Sequence, residues 1–371
     1  MRIRIDNSGT LEIVDPDFSV LPLLQELDSE FTVKEAPLPN FSIPRFLACR
    51  YAETGIEQGI LSELPTDMLW QIHDKAMDAL NPARPLYREN DDKSTVSLLE
   101  IKMELADRLL KNCCLCARRC GVNRSSGDEG FCGLGAQVLL AGCAPHIAEE
   151  PPINPSLLVS LYGCALRCRY CQQSTLLHPP CTEENSSFTT TFWEQLNLEG
   201  VRSLSFIGGN PDESLPGILR LLHTAPSDWQ LPIVWNCHAY SSPETLLLLE
   251  GIVDCYVPDF RYGSEACAIA LSQALGYPRV AAAAIRSMLA QQVPVIVRIL
   301  VLPGHTECCH IPALQELARM NAPNLMVSIR GQYCPDGQIS AADGVMGRRI
   351  TQEEVQTVET YAADMGLSRI T

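Results

Sequence analysis

Three cysteines, Cys164, Cys168 and Cys171, stand close together in the stretch GCALRCRYCQQ. Cysteine thiolates bind soft metal ions and iron–sulfur clusters, and a site built from protein ligands alone normally has four of them. A [4Fe-4S] cluster held by three cysteines leaves one iron open, so that a small molecule can bind there, as at the open position of a catalytic zinc. The alternative is a closed zinc site, for which Cys181 could supply the fourth ligand. The spacing favours the open cluster.

A second group of four cysteines precedes the first. Cys113, Cys116, Cys120 and Cys132 are separated by two, three and eleven residues, a pattern that indicates metal ligation. Cys114 lies between the first two, and we do not expect it to be a ligand because neighbouring side chains diverge. Four cysteines suit zinc or a single iron, and by ligand number they suit an auxiliary [4Fe-4S] cluster equally well. We favour the cluster and retain zinc and mononuclear iron as alternatives.

The composition narrows the class of protein. The chain has 371 residues, a net charge of -16 and 17 cysteines. Disulfide frameworks belong to small secreted proteins, so clustered cysteines in a chain of this length indicate metal binding in a reducing compartment. The negative charge argues against nucleic acid as a partner. The sequence has no apolar run of membrane-spanning length and no signal-peptide core at its start, so we expect a soluble, cytoplasmic protein without a membrane partner.

Short apolar runs alternate with helical segments in the second half of the chain. Nearly continuous apolar strands between helices predict an α/β fold with a parallel sheet covered by helices. Right-handed crossovers curl such a sheet into an open or partial (β/α)6 barrel. Helical signals include Pro243 in SSPETLLLLEG and a Thr351–Glu354 capping box before the last helix, which should stop at Gly366. The apolar runs are 157–163, 204–209, 232–238, 253–260, 293–304 and 324–331.

Polar residues and glycines follow each predicted strand. Function in parallel sheets gathers at the carboxyl ends of the strands, so we expect these residues to meet at one edge. Beyond the cysteine turn they are Gly208, Gly209, Asn210, Asn236, His238, Asp259, Arg261, Pro303, Gly304, His305 and Tyr333. Cys308, Cys309 and Cys334 also follow strand ends. One of these three could be a redox-active thiol or a hydrogen donor, and passive loop cysteines are the alternative.

We divide the chain into three parts. Residues 1–111 form an N-terminal accessory region in which no constellation indicates chemistry. Alternating residues around an Asn-Ser-Gly turn predict a hairpin at its start, and an apolar face over 98–109 predicts a helix near its end. Residues 112–150 form the four-cysteine metal module, and residues 151–371 form the barrel. Either of the first two parts could cover the site.

The cysteine turn carries a family resemblance. Its C-x3-C-x2-C pattern, with Tyr170 before the last cysteine, resembles the signature of the radical S-adenosylmethionine (SAM) superfamily. The resemblance implies that the open iron binds the amino and carboxylate groups of SAM, and that one-electron reduction yields a 5′-deoxyadenosyl radical that abstracts hydrogen. It implies that Tyr170 lies near the adenine. Gly208, Gly209 and Asn210 resemble the superfamily's Gly-Gly-Glu element, which binds the methionine amino group, although Asn210 replaces the usual acid.

A narrower resemblance covers about residues 98–371. Four blocks occur in the order of the PflX-like branch, relatives of the pyruvate formate-lyase activating enzymes: CCLCARRCGVNRSSGDEGFCG, AEEPPIN, VWNCHAYSSPETLLLLEGIVDCYVPDFRYGSE and RILVLPGH. In activating enzymes a D-x-K pair after the fourth strand lies close to SAM, and here Asp259 and Arg261 match it with Arg in place of Lys. Arg298 and His305 fall where that family places polar contacts to SAM and its partner.

The resemblance also has implications for the reductant and the substrate of the reaction. It implies ferredoxin or flavodoxin as reductant and hydrogen abstraction from a glycyl residue of a protein partner. Modification of a peptide or of a small metabolite by the same radical is a second hypothesis. A non-catalytic iron–sulfur protein for electron transfer or assembly is a third, from a different class.

Overall fold

The computed structural model describes most of the chain. The described residues are 3–5, 11–13, 16–27, 32–80, 95–177, 179, 188 and 191–370. The N-terminal hairpin is confirmed, because β1 (Ile3–Ile5) pairs antiparallel with β2 (Leu11–Ile13). The predicted turn between these strands lies outside the described residues, and so does Cys181.

A mainly helical region precedes the four-cysteine module. Its helices are α1 (Leu21–Leu27), α2 (Arg45–Tyr51), α3 (Thr66–Ala79) and α4 (Leu98–Leu109), and β3 (Glu53–Glu57) pairs antiparallel with β4 (Thr95–Ser97). The helix predicted from its apolar face is α4, which packs against α2 and α3. It begins at a capping box, in which Ser97 Oγ accepts from the Glu100 amide and the Glu100 carboxylate accepts from the Ser97 amide.

One antiparallel strand and six parallel strands form the central sheet. They are β5 (Leu140–His146), which is antiparallel, and β6 (Ser156–Leu161), β7 (Ser203–Gly208), β8 (Ile233–Cys237), β9 (Cys255–Pro258), β10 (Val295–Leu300) and β11 (Leu325–Arg330). Their order in space is their order along the chain, with β5 at one edge and β11 at the other. Each parallel strand overlaps a predicted apolar run, and the predicted α/β class with a parallel sheet is confirmed.

In the described part of the chain, α-helices follow the parallel strands from β7 onward. They are α5 (Leu215–His223), α6 (Pro243–Leu249), α7 (Glu265–Ser272), α8 (Tyr277–Ala290), α9 (Ile311–Met320) and α10 (Gln352–Asp364). The predicted starts of α6 and α10 are confirmed: Ser242 caps α6, and Thr351 forms a capping box with Glu354. Within the described ranges, no helix has the length and apolar character required to cross a bilayer.

The sequence did not predict β5. This strand pairs with β6 from Leu140 opposite Leu161 to His146 opposite Ser156. Its residues, LAGCAPH, include a glycine and a proline, which weaken the signal of a strand and are tolerated at the edge of a sheet. The strand lies inside the segment 112–150, so this part of the predicted module belongs to the sheet. The division of the chain into three parts stays a prediction.

The accessory region contacts the sheet where its strands begin. At the start of α2 the Arg45 amide donates to Asp254 Oδ1 at 3.0 Å, and the Cys49 thiol donates to the Gly251 carbonyl at 3.3 Å. Asp254 Oδ2 also accepts from the amide of Ile233, the first residue of β8, at 2.8 Å. Both acceptors belong to the segment that leads from α6 into β9. The helix α2 therefore docks at the amino ends of the strands and does not cover the opposite end.

We expect Asp254→Ala to destabilise the protein, because it leaves two backbone N–H groups without their acceptor. An unsatisfied buried donor costs about 1–3 kcal/mol, so the free energy of unfolding at pH 5 should fall by roughly 2–4 kcal/mol. Urea unfolding followed by circular dichroism measures this change. The control is Asp228→Ala, which removes an exposed carboxylate and should change the free energy by less than about 0.5 kcal/mol.

The same carboxyl predicts a pH dependence. Burial raises the pKa of Asp254 from 3.8 to about 7. Because the folded protein holds this proton more tightly than the unfolded chain does, the stabilisation is complete below about pH 4 and declines as the pH rises to about 7. The unfolding free energy of the wild type should therefore fall more steeply over this range than that of Asp254→Ala. Equal slopes for the two proteins would contradict a raised pKa.

Candidate active site

A cavity of about 230 Å³ opens at the carboxyl ends of the parallel strands. Cys164, Cys168 and Cys171 line it together, from the turn that follows β6. Tyr333 also lies in its wall, whereas His305 lies next to the Pro303 carbonyl and does not line the cavity. Every residue predicted to contact SAM is in the wall: Tyr170, Gly208, Gly209, Asn210, Asn236, Asp259, Arg261 and Arg298. Residues that follow separate strands in the sequence therefore meet at one place.

The turns after β6 and β7 touch through their backbones. The Gly209 amide donates to the Leu161 carbonyl at 2.7 Å. A Cβ atom on Gly209 would stand 2.0 Å from the Gly163 carbonyl oxygen, far inside the contact distance of real atoms. Glycine at position 209 is therefore required for the Gly-Gly-Asn turn to lie against the cysteine turn.

Two donors reach the sulfur of Cys168. Arg261 Nη1 lies 3.0 Å from Cys168 Sγ, and Ser272 Oγ, at the end of α7, lies 2.9 Å from it. Arg261 also forms an ion pair with Asp259, with 2.7 Å between Nη2 and Oδ2. Hydrogen bonds and positive charge stabilise a thiolate, which is the form of cysteine that binds metal. The D-x-R pair therefore acts on the cysteine turn directly.

Tyr170 is fixed by a chain of hydroxyl groups. Its Oη lies 2.6 Å from Tyr262 Oη, which lies 2.5 Å from the same Ser272 hydroxyl that reaches Cys168. Burial raises the pKa of Tyr170 above its ordinary value, so the phenol is neutral. Its ring meets that of Tyr333 edge-on, with 6.0 Å between the ring centres. A neutral, immobilised ring in the cavity wall is suited to contact a planar ligand group.

Glu213 is a buried acid that the sequence analysis missed. Its Oε1 accepts from the Ala165 amide in the cysteine turn at 3.1 Å, and its Oε2 accepts from Asn210 Nδ2 at 2.6 Å. Asn210 Oδ1 in turn accepts from the His238 amide at 3.0 Å. Both ends of the Asn210 amide are thus bonded within the protein, and the pair joins the ends of three strands. The sequence feature that could have revealed Glu213 is an acidic residue three positions after Asn210, in GGNPDE.

Three buried nitrogens in the cavity wall have no hydrogen-bond partner in the part of the chain that the structure describes. They are Nδ2 of Asn236, Nε2 of His238 and Nε of Arg261. The acid nearest to His238 is Glu213, with 3.5 Å between Nε2 and Oε1. An unpaired buried donor costs about 1–3 kcal/mol, and a ligand with acceptor oxygens would remove that cost. The carboxylate and ribose oxygens of SAM are acceptors of this kind, so these residues fit SAM.

Arg298 lines the cavity, but its guanidinium is already bonded to two acids. Arg298 Nε donates to Glu150 Oε1 at 2.7 Å, and Arg298 Nη2 contacts Glu149 Oε2. Arg330 adds a second cation, with 2.7 Å between its Nη2 and Glu150 Oε1. Burial opposes ionisation of both acids, yet the charge and hydrogen bonds of Arg298, together with His146 at Glu149 and Arg330 at Glu150, outweigh it and hold the pKa of each carboxyl below its ordinary value. Arg298 and Arg330 line the cavity, whereas their two acidic partners do not, and a SAM contact by Arg298 stays a prediction.

The four-cysteine module packs directly against the cysteine turn. The Cys164 amide donates to the Cys132 carbonyl at 3.4 Å. The guanidinium carbons of Arg118 and Arg167 lie 3.6 and 4.3 Å from the centre of the Phe131 ring, one from each segment. Such cation–π contacts stabilise by about 0.5–2 kcal/mol each. The two cysteine groups are therefore held side by side.

The sulfurs within the module do not form a compact trio. The four candidate ligands are Cys113, Cys116 and Cys132, which are buried, and Cys120, which is exposed. All four belong to the described residues, and no three of their sulfurs lie within 4.8 Å of one another. Arg124 is buried beside them, with its Nη1 3.9 Å from Cys113 Sγ and 2.9 Å from the Glu213 carbonyl. The module thus has positive charge close to one of its sulfurs.

The other cysteines flagged in the sequence separate into two places. Cys334 is buried and lines the cavity, where its sulfur accepts from Gln172 Nε2 at 3.2 Å. Cys308 and Cys309 do not line it and lie beside Cys267 instead. A role in the chemistry of the cavity is therefore open to Cys334 alone among these three.

Comparison with known proteins gives a relative in sequence. No protein-family model matches the chain. The uncharacterized protein MJ0674 of Methanocaldococcus jannaschii is 29% identical over 315 residues, which cover 83% of this chain and 90% of the relative. The similarity extends across most of both chains, and the name of the relative gives no activity.

The chain is also similar to solved structures, at low TM-scores. SuiB of Streptococcus suis, bound to S-adenosylmethionine, has a TM-score of 0.42 and 13% identity over 57% of this chain, which spans about half (48%) of the SuiB chain. HydG, a hydrogenase maturase, has a TM-score of 0.40 and 14% identity, covering 82% of this chain and 62% of its own. Methylornithine synthase, PylB, has a TM-score of 0.39 and 14% identity, covering 79% and 77%. Scores below 0.5 assign no activity, so the function rests on the site itself.

Proposed function

We propose that the chain is a radical SAM enzyme of the PflX-like branch, an oxidoreductase that holds a [4Fe-4S] cluster on Cys164, Cys168 and Cys171. When bound together, the cluster and SAM supply a 5′-deoxyadenosyl radical for hydrogen abstraction. The proposal rests on one observation: these cysteines share a cavity with buried donors that have no partner among the described residues. Protein side chains alone do not abstract hydrogen from unactivated C–H bonds, so a cofactor is required.

The chain's own residues bind and shield these groups. Arg261 and Ser272 donate hydrogen bonds to the Cys168 sulfur and fix its position in the cavity wall. Asn236 and His238 offer donors to acceptor oxygens of SAM. The cavity lies at the carboxyl ends of the parallel strands, and closing it against water when substrate binds would limit side reactions of a radical.

We propose a protein or a peptide as the substrate. Within this class we favour a glycyl residue of a partner protein. Its support is the sequence resemblance to activating enzymes, which also favours ferredoxin or flavodoxin as reductant. A small metabolite is the alternative. Electron paramagnetic resonance tests the first choice: a stable glycyl radical on a co-purified protein, formed only with SAM and reductant, is the expected result.

A second function has support from Cys334. This cysteine lines the same cavity as the three cluster ligands, and a fourth thiolate would close the cluster. A closed cluster binds no SAM and suits an electron-transfer or assembly protein. The unpaired donors of Asn236 and His238 favour the enzyme, because a closed cluster would leave them without a ligand.

Alanine variants of two cysteines separate these functions. After anaerobic reconstitution and reduction with dithionite in the presence of SAM, the wild type should form 5′-deoxyadenosine, measured by chromatography. Cys168→Ala should form none, because the cluster loses a ligand. Cys334→Ala should keep both the iron content and the reaction. Loss of the cluster in Cys334→Ala to the same extent as in Cys168→Ala would instead support the closed cluster.

Removal of the unpaired amide should weaken SAM binding. We expect Asn236→Ala to raise the KM for SAM by about tenfold, the equivalent of one hydrogen bond of roughly 1.5 kcal/mol, with a smaller change in kcat. The rate of 5′-deoxyadenosine formation against SAM concentration measures both constants. Asn197→Ala, an exposed asparagine, is the matched control and should behave as the wild type. An unchanged KM in Asn236→Ala would place this amide outside the SAM site.

The four-cysteine module holds, we propose, an auxiliary [4Fe-4S] cluster on Cys113, Cys116, Cys120 and Cys132. A single zinc ion binds sulfur at about 2.3 Å, which in a tetrahedron puts the sulfurs about 3.8 Å apart. No three of these sulfurs lie within 4.8 Å of one another, so they do not already have the spacing of a single-ion site, and we favour the larger cluster. Zinc and a single iron remain the alternatives.

Metal analysis of a variant without the first cluster tests the module. In the Cys164→Ala, Cys168→Ala, Cys171→Ala triple variant we expect residual iron with an equal amount of acid-labile sulfide, because the four module cysteines are intact. Adding Cys116→Ala should remove this remainder. Residual zinc, or iron without sulfide, would overturn the auxiliary cluster and leave the proposed enzyme function untouched.

A further inference from the structure

We propose a separate metal site, formed by Cys267, Cys308 and Cys309, for one thiophilic ion of the Zn²⁺ type. The three sulfurs all lie within 4.8 Å of one another. Cys308 Sγ is 3.8 Å from the sulfur of Cys267 and 3.8 Å from that of Cys309. Metal–sulfur bonds of about 2.3 Å in tetrahedral geometry place neighbouring sulfurs about 3.8 Å apart. The three thiols therefore already have the spacing of a single-ion site.

Two segments that are distant in sequence build this group. Cys267 lies in the first turn of α7, and its amide donates to the capping hydroxyl of Ser264. Cys308 and Cys309 belong to a π-helical turn, Thr306–His310, that follows β10. Such π-helical turns are rare in proteins, and those that occur are often found at functional sites. Here the turn brings the sulfurs of two consecutive cysteines into contact.

Close packing holds the π-helical turn against the start of α7. A Cβ atom on Gly263 would stand 2.6 Å from the Cys309 carbonyl oxygen and 2.6 Å from Pro312 Cβ. Position 263 therefore has to be glycine for the two segments to approach. The backbone, rather than flexible side chains, thus places the three sulfurs close together, which is a requirement for a preformed metal site.

Exposure differs among the three thiols in a way that suits an ion. Cys309 is buried, Cys267 is half-buried and Cys308 is exposed. An ion bound by three thiolates would be reached from solvent on the side of Cys308 and could take water as its fourth ligand. A disulfide would use two of the thiols and leave the third without a function, so the compact trio favours metal over a redox pair.

The site stands apart from the cavity and does not depend on the proposed function. None of the three cysteines lines the cavity. However, α7 connects the three cysteines to the cavity. Cys267 lies in its first turn, and Ser272 at its end donates a hydrogen bond to the Cys168 sulfur. A bound ion would tie α7 to the turn after β10, and through α7 it would stabilise one wall of the candidate active site.

Zinc retention in the full-length, cluster-loaded protein tests this site. The anaerobically reconstituted protein is incubated with Zn²⁺, passed over a desalting column and assayed for zinc and iron by mass spectrometry. Wild type and Cys143→Ser, an exposed cysteine elsewhere in the fold, should each retain one zinc per chain. The Cys267→Ser, Cys308→Ser double variant should retain none at the same iron content.

A single variant keeps the test valid if the double variant folds poorly. Cys308 is exposed, so Cys308→Ser should fold normally and bind Zn²⁺ at least about tenfold more weakly, as expected for the loss of a ligand. Equal zinc in the wild type and both variants would overturn the proposal. Zinc that a weak chelator removes equally from all proteins would also overturn it, because such zinc is an adventitious ion only. A Cys267–Cys308 disulfide, found by peptide mapping of the anaerobic protein, would overturn it as well.

Discussion

The backbone contact between the turns after β6 and β7 is the constraint on which the candidate site depends. Parallel pairing sets Leu161 opposite Gly208, so the two strands end at the same level. The absence of a side chain at Gly209 then allows its turn to rest on the carbonyl of Gly163. Glu213 and Asn210 extend this contact to the end of β8. Without it, the cysteine turn and the donors of β8 would not share a cavity.

The local sequence was sufficient to predict the parallel strands and the residues that follow them. Runs such as 293–304 are nearly continuously apolar, interrupted by Arg298, because most of the strand is buried, and this pattern has few alternatives. Asn236, Asp259 and Arg261 were predicted to meet because parallel strands carry their carboxyl ends to one edge of the sheet. The prediction needed only the order of the strands, which follows the chain.

Other features depend on contacts that no local pattern reveals. The edge strand β5 is held by pairing with β6 in spite of a glycine and a proline. Glu213 lies in a turn, and its importance comes from burial beside two cysteine groups. Cys267 and Cys308 are 41 residues apart, and their sulfurs meet only because α7 packs against the turn after β10. Sequence spacing within one segment can suggest a group of metal ligands, whereas a group assembled from distant segments leaves no such signal.

The ion pairs beside the cavity have a consequence for selectivity. Arg298 and Arg330 line the cavity, and both are paired with buried glutamates, Glu149 and Glu150. Separating these partners would leave buried ions uncompensated, so the network resists rearrangement. A substrate group that approaches these two arginines therefore meets guanidinium groups whose charge is already compensated. Selectivity on this side of the cavity then comes more from steric fit and from the direction of hydrogen bonds than from charge.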